Sequence, residues 1–111
     1  MDKELLLVTD ETFDAEVIRS ALPVIVDFYA DWCAPCHTAE PLLVELSRTL
    51  EGRVKFAKVN VDDSGAVARS FGIHSLPTYV FLQGGRERGR EIGLLDPVEL
   101  RSTLKRHFSF A

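Results

Sequence analysis

Cys33 and Cys36 are the only cysteines in the chain, three residues apart. On a helix this spacing puts both side chains on one face, within reach of a disulfide. If Cys33 opens that helix, its sulfur meets unpaired amides and the positive end of the dipole. Those features favour thiolate over thiol, lowering a pKa that starts near ~8.5 in a free cysteine. The chemistry that follows is thiol–disulfide exchange. Cys33, nearer the exposed tip, attacks, and Cys36, one turn inward, resolves the mixed disulfide.

Two other chemistries use such a pair. A tetrahedral zinc site wants four ligands, and only His37, His74 and His107 are available, at spacings that match no common pattern. Cys33-Ala34-Pro35-Cys36-His37 also satisfies the C-x-x-C-H signature of covalent haem attachment, with His37 as proximal ligand. Against haem, the one methionine is Met1 and the surrounding β/α pattern leaves no haem pocket. Both stay open beside disulfide exchange.

Asp27 is an acid inside the apolar run Val24–Tyr29, six residues before Cys33. Burial of a lone carboxylate raises its pKa toward neutrality, where it could relay a proton to or from Cys36. At a solvated strand end the same residue would be inert. Lys58 interrupts the next apolar strand and could pair with Asp27 if the two strands are neighbours; pointing outward, it would be a solvated surface lysine. Trp32 precedes the first cysteine and could shield the sulfur and pack on a partner chain, or be an ordinary core aromatic. Pro77, before Thr78, invites a cis peptide bond that spacing cannot decide.

The rest of the chain must position these groups. At 111 residues it is read as one domain over 1–111, large enough for a core without disulfide staples. A net charge of −4 argues against nucleic-acid binding, and no apolar run approaches the roughly 20 residues that span a bilayer. Two cysteines, no structural framework and no export signal imply a soluble cytoplasmic protein.

Leu5 to Val8 reads as a short strand, with Thr9 and Asp10 capping a helix on which Phe13, Val17 and Ala21 recur. Val24 to Tyr29 has the continuous apolar character of a central strand. After the cysteines, Ala39, Leu42, Leu43, Leu46 and Leu50 mark one helical face, with Pro41 expected to kink it. A strand over Val54 to Val61 and a short helix around Ala66 to Phe71 follow. Thr78 to Leu82 and Arg86 to Ile92 form a hairpin around Gly84-Gly85, the second strand charged like a sheet edge. Asp96-Pro97 then opens a final helix on Leu100, Leu104 and Phe108. The order β-α-β-α-β-α-β-β-α predicts a three-layer α/β/α fold around a mixed five-stranded sheet, with four helices.

Three segments together resemble the thioredoxin family. They are Val26-Asp27-Phe28-Tyr29-Ala30-Asp31-Trp32-Cys33-Ala34-Pro35-Cys36, then Ala57-Lys58-Val59-Asn60-Val61-Asp62, then Gly72-Ile73-His74-Ser75-Leu76-Pro77-Thr78, with Gly93 also fitting. The resemblance implies the thioredoxin fold and reduction of protein disulfides, with no cofactor beyond the Cys33–Cys36 pair and electrons from a thioredoxin reductase. It implies that Asp27 with Lys58 assists proton transfer. It also implies a substrate groove of Trp32, Ala34, Pro35, Leu76, Pro77 and Gly93, with Pro77 cis. The chain departs from the family pattern at Ala34 (usually glycine), His37 (usually lysine), Glu40 (usually small and apolar) and Leu94 (often alanine). Those departures bear on potential and substrate preference.

The reading is thus a monomeric protein-disulfide reductase acting on protein disulfides, with neither nucleic acid nor membrane as partner. Its rivals are an oxidase or isomerase with a destabilised disulfide, a binding module that uses the groove without turnover, and a metal-binding protein.

Overall fold

The computed structural model describes residues 5–109. Five strands, β1 (Leu6–Leu7), β2 (Val24–Tyr29), β3 (Lys55–Asn60), β4 (Thr78–Gln83) and β5 (Arg86–Ile92), form one sheet in the order β1-β3-β2-β4-β5. β3 pairs in parallel with β1 and β2, while β4 runs antiparallel to β2 and β5 antiparallel to β4. A π-helical turn (Asp14–Ile18) and three α-helices, α1 (Ala34–Thr49), α2 (Gly65–Ser70) and α3 (Pro97–His107), complete a three-layer α/β/α arrangement.

The sheet separates two apolar layers. On one face Ile25, Phe56, Tyr79 and Phe81 pack against Ala39, Leu43 and Leu46 of α1 and Leu100 and Leu104 of α3. On the other, Val26, Phe28, Val59 and Val80 meet Phe13, Val17, Val67 and Ala68. β2 lies at the centre, buried along Val24–Phe28, as its unbroken apolar run requires.

Three local expectations are corrected. The first helix is a single wide turn, closed by the Arg19 amide donating to the Asp14 carbonyl, and Ala21 is exposed beyond it. Ser20 ends it by bonding Leu22 through both backbone groups, ahead of Pro23. Asp10 does not cap this turn: its carboxylate accepts from the amides of Ala66 and Val67, at 3.4 and 2.9 Å, and so caps α2 from far away in sequence. β1 is also shorter than expected, in register with β3 over Leu6–Leu7, although the Val8 amide still donates to the Lys58 carbonyl at 2.9 Å, and Leu5 and Val8 are buried at its ends.

Two other local signals act as expected. Gly84 and Gly85 both take positive φ, 62° and 78°, as a two-residue hairpin turn demands. Asp96 caps α3 by accepting from the Glu99 amide, 2.8 Å away. α1 runs through Pro41, which leaves the His37 carbonyl without its usual amide donor.

Candidate active site

β2 ends at Tyr29, and four residues later Cys33 is the N-cap of α1. Its extended backbone (φ −90°, ψ 104°) turns its sulfur back over the first helical turn. There Sγ accepts from the Cys36 amide at 3.3 Å, taking one of the orphan donors of a 16-residue helix. Cys33 and Cys36 are joined as a disulfide, Cα to Cα 5.3 Å. Once the bond is reduced, the same amide and helix dipole stabilise a thiolate at Cys33.

The pair is less open than spacing implies. Cys33 is 5% exposed and Cys36 3%, and with Ala30 they pack against Tyr29, Val61 and Leu76. Cys33 therefore does not stand at an exposed tip; Trp32 does, 71% exposed. Its indole Nε1 donates to Asp62 Oδ2 at 2.9 Å. Asp62 is held there because buried Asn60, at the end of β3, accepts the Asp62 and Asp63 amides through Oδ1. His37 braces the same loop, its Nε2 donating to the Asp31 carbonyl at 2.6 Å.

Leu76–Pro77 is a cis peptide, and Pro77 is buried. The Pro77 carbonyl accepts from the Gly93 amide at 2.9 Å, which ties the start of β4 to the end of β5. Gly93 takes φ 96°, a conformation that suits glycine. Ala34 and Pro35 are exposed in the first turn of α1, and Ile92 and Leu94 are exposed on either side of Gly93.

Asp27 sits beneath α1 at 3% exposure, and its Oδ1 has no hydrogen-bond partner among the described residues. Burial pushes its pKa up to about 7, the nearby Glu40 carboxylate adds to the rise, and Lys58 opposes it. Four buried apolar neighbours along β2, Val24, Ile25, Val26 and Phe28, each contribute about 2 kcal/mol. Together they exceed the roughly 4 kcal/mol that this rise represents, so the strand tolerates the acid.

Lys58 faces Asp27 in register across β2 and β3, as expected. The ion pair that this register allows is not formed. The ammonium lies 3.4 Å from Glu40 Oε1 and 5.3 Å from the centre of the Tyr29 ring. Glu40 is the residue that sequence reasoning undervalued, noted only as a departure. Its signal was its position four residues after Cys36, on the same face of α1.

Among the described residues, no group of three or more His, Cys, Asp and Glu is placed to hold a metal ion. No helix there is long and apolar enough to cross a membrane.

Comparison with known proteins agrees with this geometry. The thioredoxin family model matches residues 4–106. Thioredoxin 1 of a Nostoc species is 41% identical over 100 residues, covering 90% of this chain and 94% of that protein. Thioredoxin of Haemophilus influenzae is 36% identical over 104 residues, 94% of this chain and 97% of its own. Thioredoxin of Rickettsia bellii is 41% identical over 87 residues, 78% and 83% of the two chains.

Proposed function

The chain belongs to the thioredoxin family of protein-disulfide oxidoreductases, and from that premise we propose how its residues divide the exchange reaction. The family's chemistry needs no cofactor, because the active-site disulfide itself carries the electron pair.

In the direction of reduction, the Cys33 thiolate attacks one sulfur of a protein disulfide and the other sulfur leaves as a thiolate, which takes a proton. Cys36 then gives its proton to Asp27 and attacks Cys33 Sγ. The second substrate sulfur leaves, and the Cys33–Cys36 disulfide forms. The departing sulfur takes up a proton as the first did. The substrate thus gains two electrons from the cysteine pair and two protons, one offset by the Cys36 proton that Asp27 releases to water and one drawn from solvent. The observation that supports this order is Cys33 as the N-cap of α1 with its sulfur on the Cys36 amide, since only the first cysteine has that stabilisation. Asp27, neutralised near pH 7, suits proton exchange with a thiol, and Lys58 acts on it as a nearby positive charge.

Substrate docks, in this reading, over Trp32, Ala34, Pro35, Leu76, Pro77 and Gly93. The exposure of Trp32 and the packing of Leu76 on the cysteines support it. We further assign one functional domain over 1–111, a monomeric state, a cytoplasmic location and electrons from a thioredoxin reductase. Two cysteines with no structural framework fit a reducing compartment.

The test is reduction of a protein disulfide such as those of insulin. Cys33→Ser abolishes exchange, whereas Cys36→Ser accumulates a mixed disulfide between Cys33 and substrate. Turnover by Cys33→Ser at the wild-type rate overturns the assignment. Equilibration of the pair with thiol buffers separates the directions: a potential well below the glutathione pool marks a reductant, and one well above it an oxidase or isomerase.

A further inference from the structure

Asp27 on β2 is met by groups from three neighbouring elements. β3 brings Lys58 and β4 brings Tyr79, both in register with it, and α1 brings Glu40. Tyr79 is buried and its phenol is held above its usual range, so it stays neutral as Asp27 titrates. α3 adds the apolar Leu100 and Leu104 to this layer. Tyr29, next but one to Asp27 on β2, lies beside the Lys58 ammonium. The charges that act on Asp27 are therefore Glu40 and Lys58.

These two charges are spent on each other. Lys58 Nζ reaches Glu40 Oε1 at 3.4 Å, while Asp27 Oδ1, on the residue directly opposite Lys58, is unpartnered. Glu40 Oε1 is thus the anion that the ammonium has taken, although Asp27 is its neighbour across the ladder. An apolar residue at position 40 would leave Lys58 with Asp27 as the nearest carboxylate of this cluster.

We propose that Glu40 is a positioning residue for the exchange reaction: by holding Lys58 it leaves Asp27 without a cation of its own, as a proton acceptor for Cys36 requires. The proposal rests on the reading that Asp27 takes the Cys36 proton. Glu40 acts in two ways. It withdraws the cation that favours ionised Asp27, and its own charge repels that ionised form. Its placement four residues after Cys36 lets α1 carry both the resolving thiol and the group that governs its base.

Two readouts on the full-length chain test this. The first is the Asp27 carboxyl carbon in the oxidised protein, titrated by NMR from about pH 5 to about pH 9. The second is the pH–rate profile for resolution of a Cys33–substrate mixed disulfide. In Glu40→Gln the Asp27 midpoint and the acid limb of the profile both move down by about half a pH unit or more. In Lys58→Met both move up. Adding Glu40→Gln to Lys58→Met gives a smaller shift than Glu40→Gln alone, because only direct repulsion remains.

A folded Glu40→Gln protein with an unmoved midpoint overturns the proposal, leaving an ordinary surface ion pair. Asp27→Asn separates this from the underlying reading. If the acid limb vanishes in Asp27→Asn but is unmoved in Glu40→Gln, the role of Glu40 alone falls. If Asp27→Asn keeps the wild-type profile, the proton-transfer reading falls and takes this role with it.

Discussion

Asp27 and Lys58 stand opposite each other on β2 and β3, but the ammonium of Lys58 is engaged elsewhere and the Asp27 carboxyl is buried with one oxygen unpartnered. The site therefore holds a carboxyl that is neutral or charged according to small changes in pH, directly below the helix that carries both cysteines.

That arrangement costs stability, and the cost depends on pH. Burial raises Asp27 from 3.8 to about 7, so between those values the folded protein keeps a proton that the unfolded chain has lost. Stability from this group is full below about pH 4, is lost as pH rises toward 7, and is flat above. Asp27→Asn lacks this dependence. Relative to wild type, it is expected to gain as much as roughly 4 kcal/mol between about pH 4 and about pH 8, apart from a constant offset for the buried amide. Urea unfolding of the oxidised proteins at both pH values measures it, and an equal difference at the two would refute the prediction.

Trp32 is held by one exposed hydrogen bond to Asp62. Asp62→Ala frees the indole, and loss of about 1 kcal/mol of positioning lowers kcat/KM for a protein disulfide about fivefold. Reduction of a small disulfide that does not span the groove stays near the wild-type rate. Equal losses on both substrates would place Trp32 in the chemistry rather than in docking.

Asp10 caps α2 through the Ala66 and Val67 amides. Asp10→Ala is expected to cost about 1 kcal/mol and to speed hydrogen exchange at those two amides. Unchanged exchange there would show that the cap contributes nothing.

Gly89 on β5 leaves room for the His107 ring, which contacts it where a Cβ would lie. His107 also packs on Phe81, ring centres 4.8 Å apart, and its Nε2 lies 2.8 Å from Glu91 Oε2. Gly89→Ala displaces the ring and costs about 1–3 kcal/mol. In a His107→Ala background the same substitution should cost far less, and equal costs in the two backgrounds would mean that the ring is not the obstacle.

Much of the fold was legible because its signals are local. The apolar run of β2, the glycine pair of the hairpin and the Asp96-Pro97 cap each act within a few residues, and each formed where expected. The first helix misled because Phe13 and Val17 show helical spacing for only one turn. Ser20 and Pro23 then end it before Ala21 can be buried. Asp10 misled for another reason: a carboxylate near a helical pattern reads as its cap, and nothing nearby in the chain marks a helix 56 residues away as the one it serves.

The sequence by itself pointed to the chemistry, because Cys33 and Cys36 lie within one helical turn and the N-cap geometry of Cys33 is set by adjacent residues. The apolar run around position 27 pointed to a buried acid but left a solvated strand end open, and the central place of β2 in the sheet settled it, with Asp27 3% exposed. Only the tertiary structure decided which charge that acid feels. Residues 27, 40 and 58 come from three separate elements, and a lysine between two carboxylates is assigned by ångström-scale distances that arise only when α1 packs across β2 and β3.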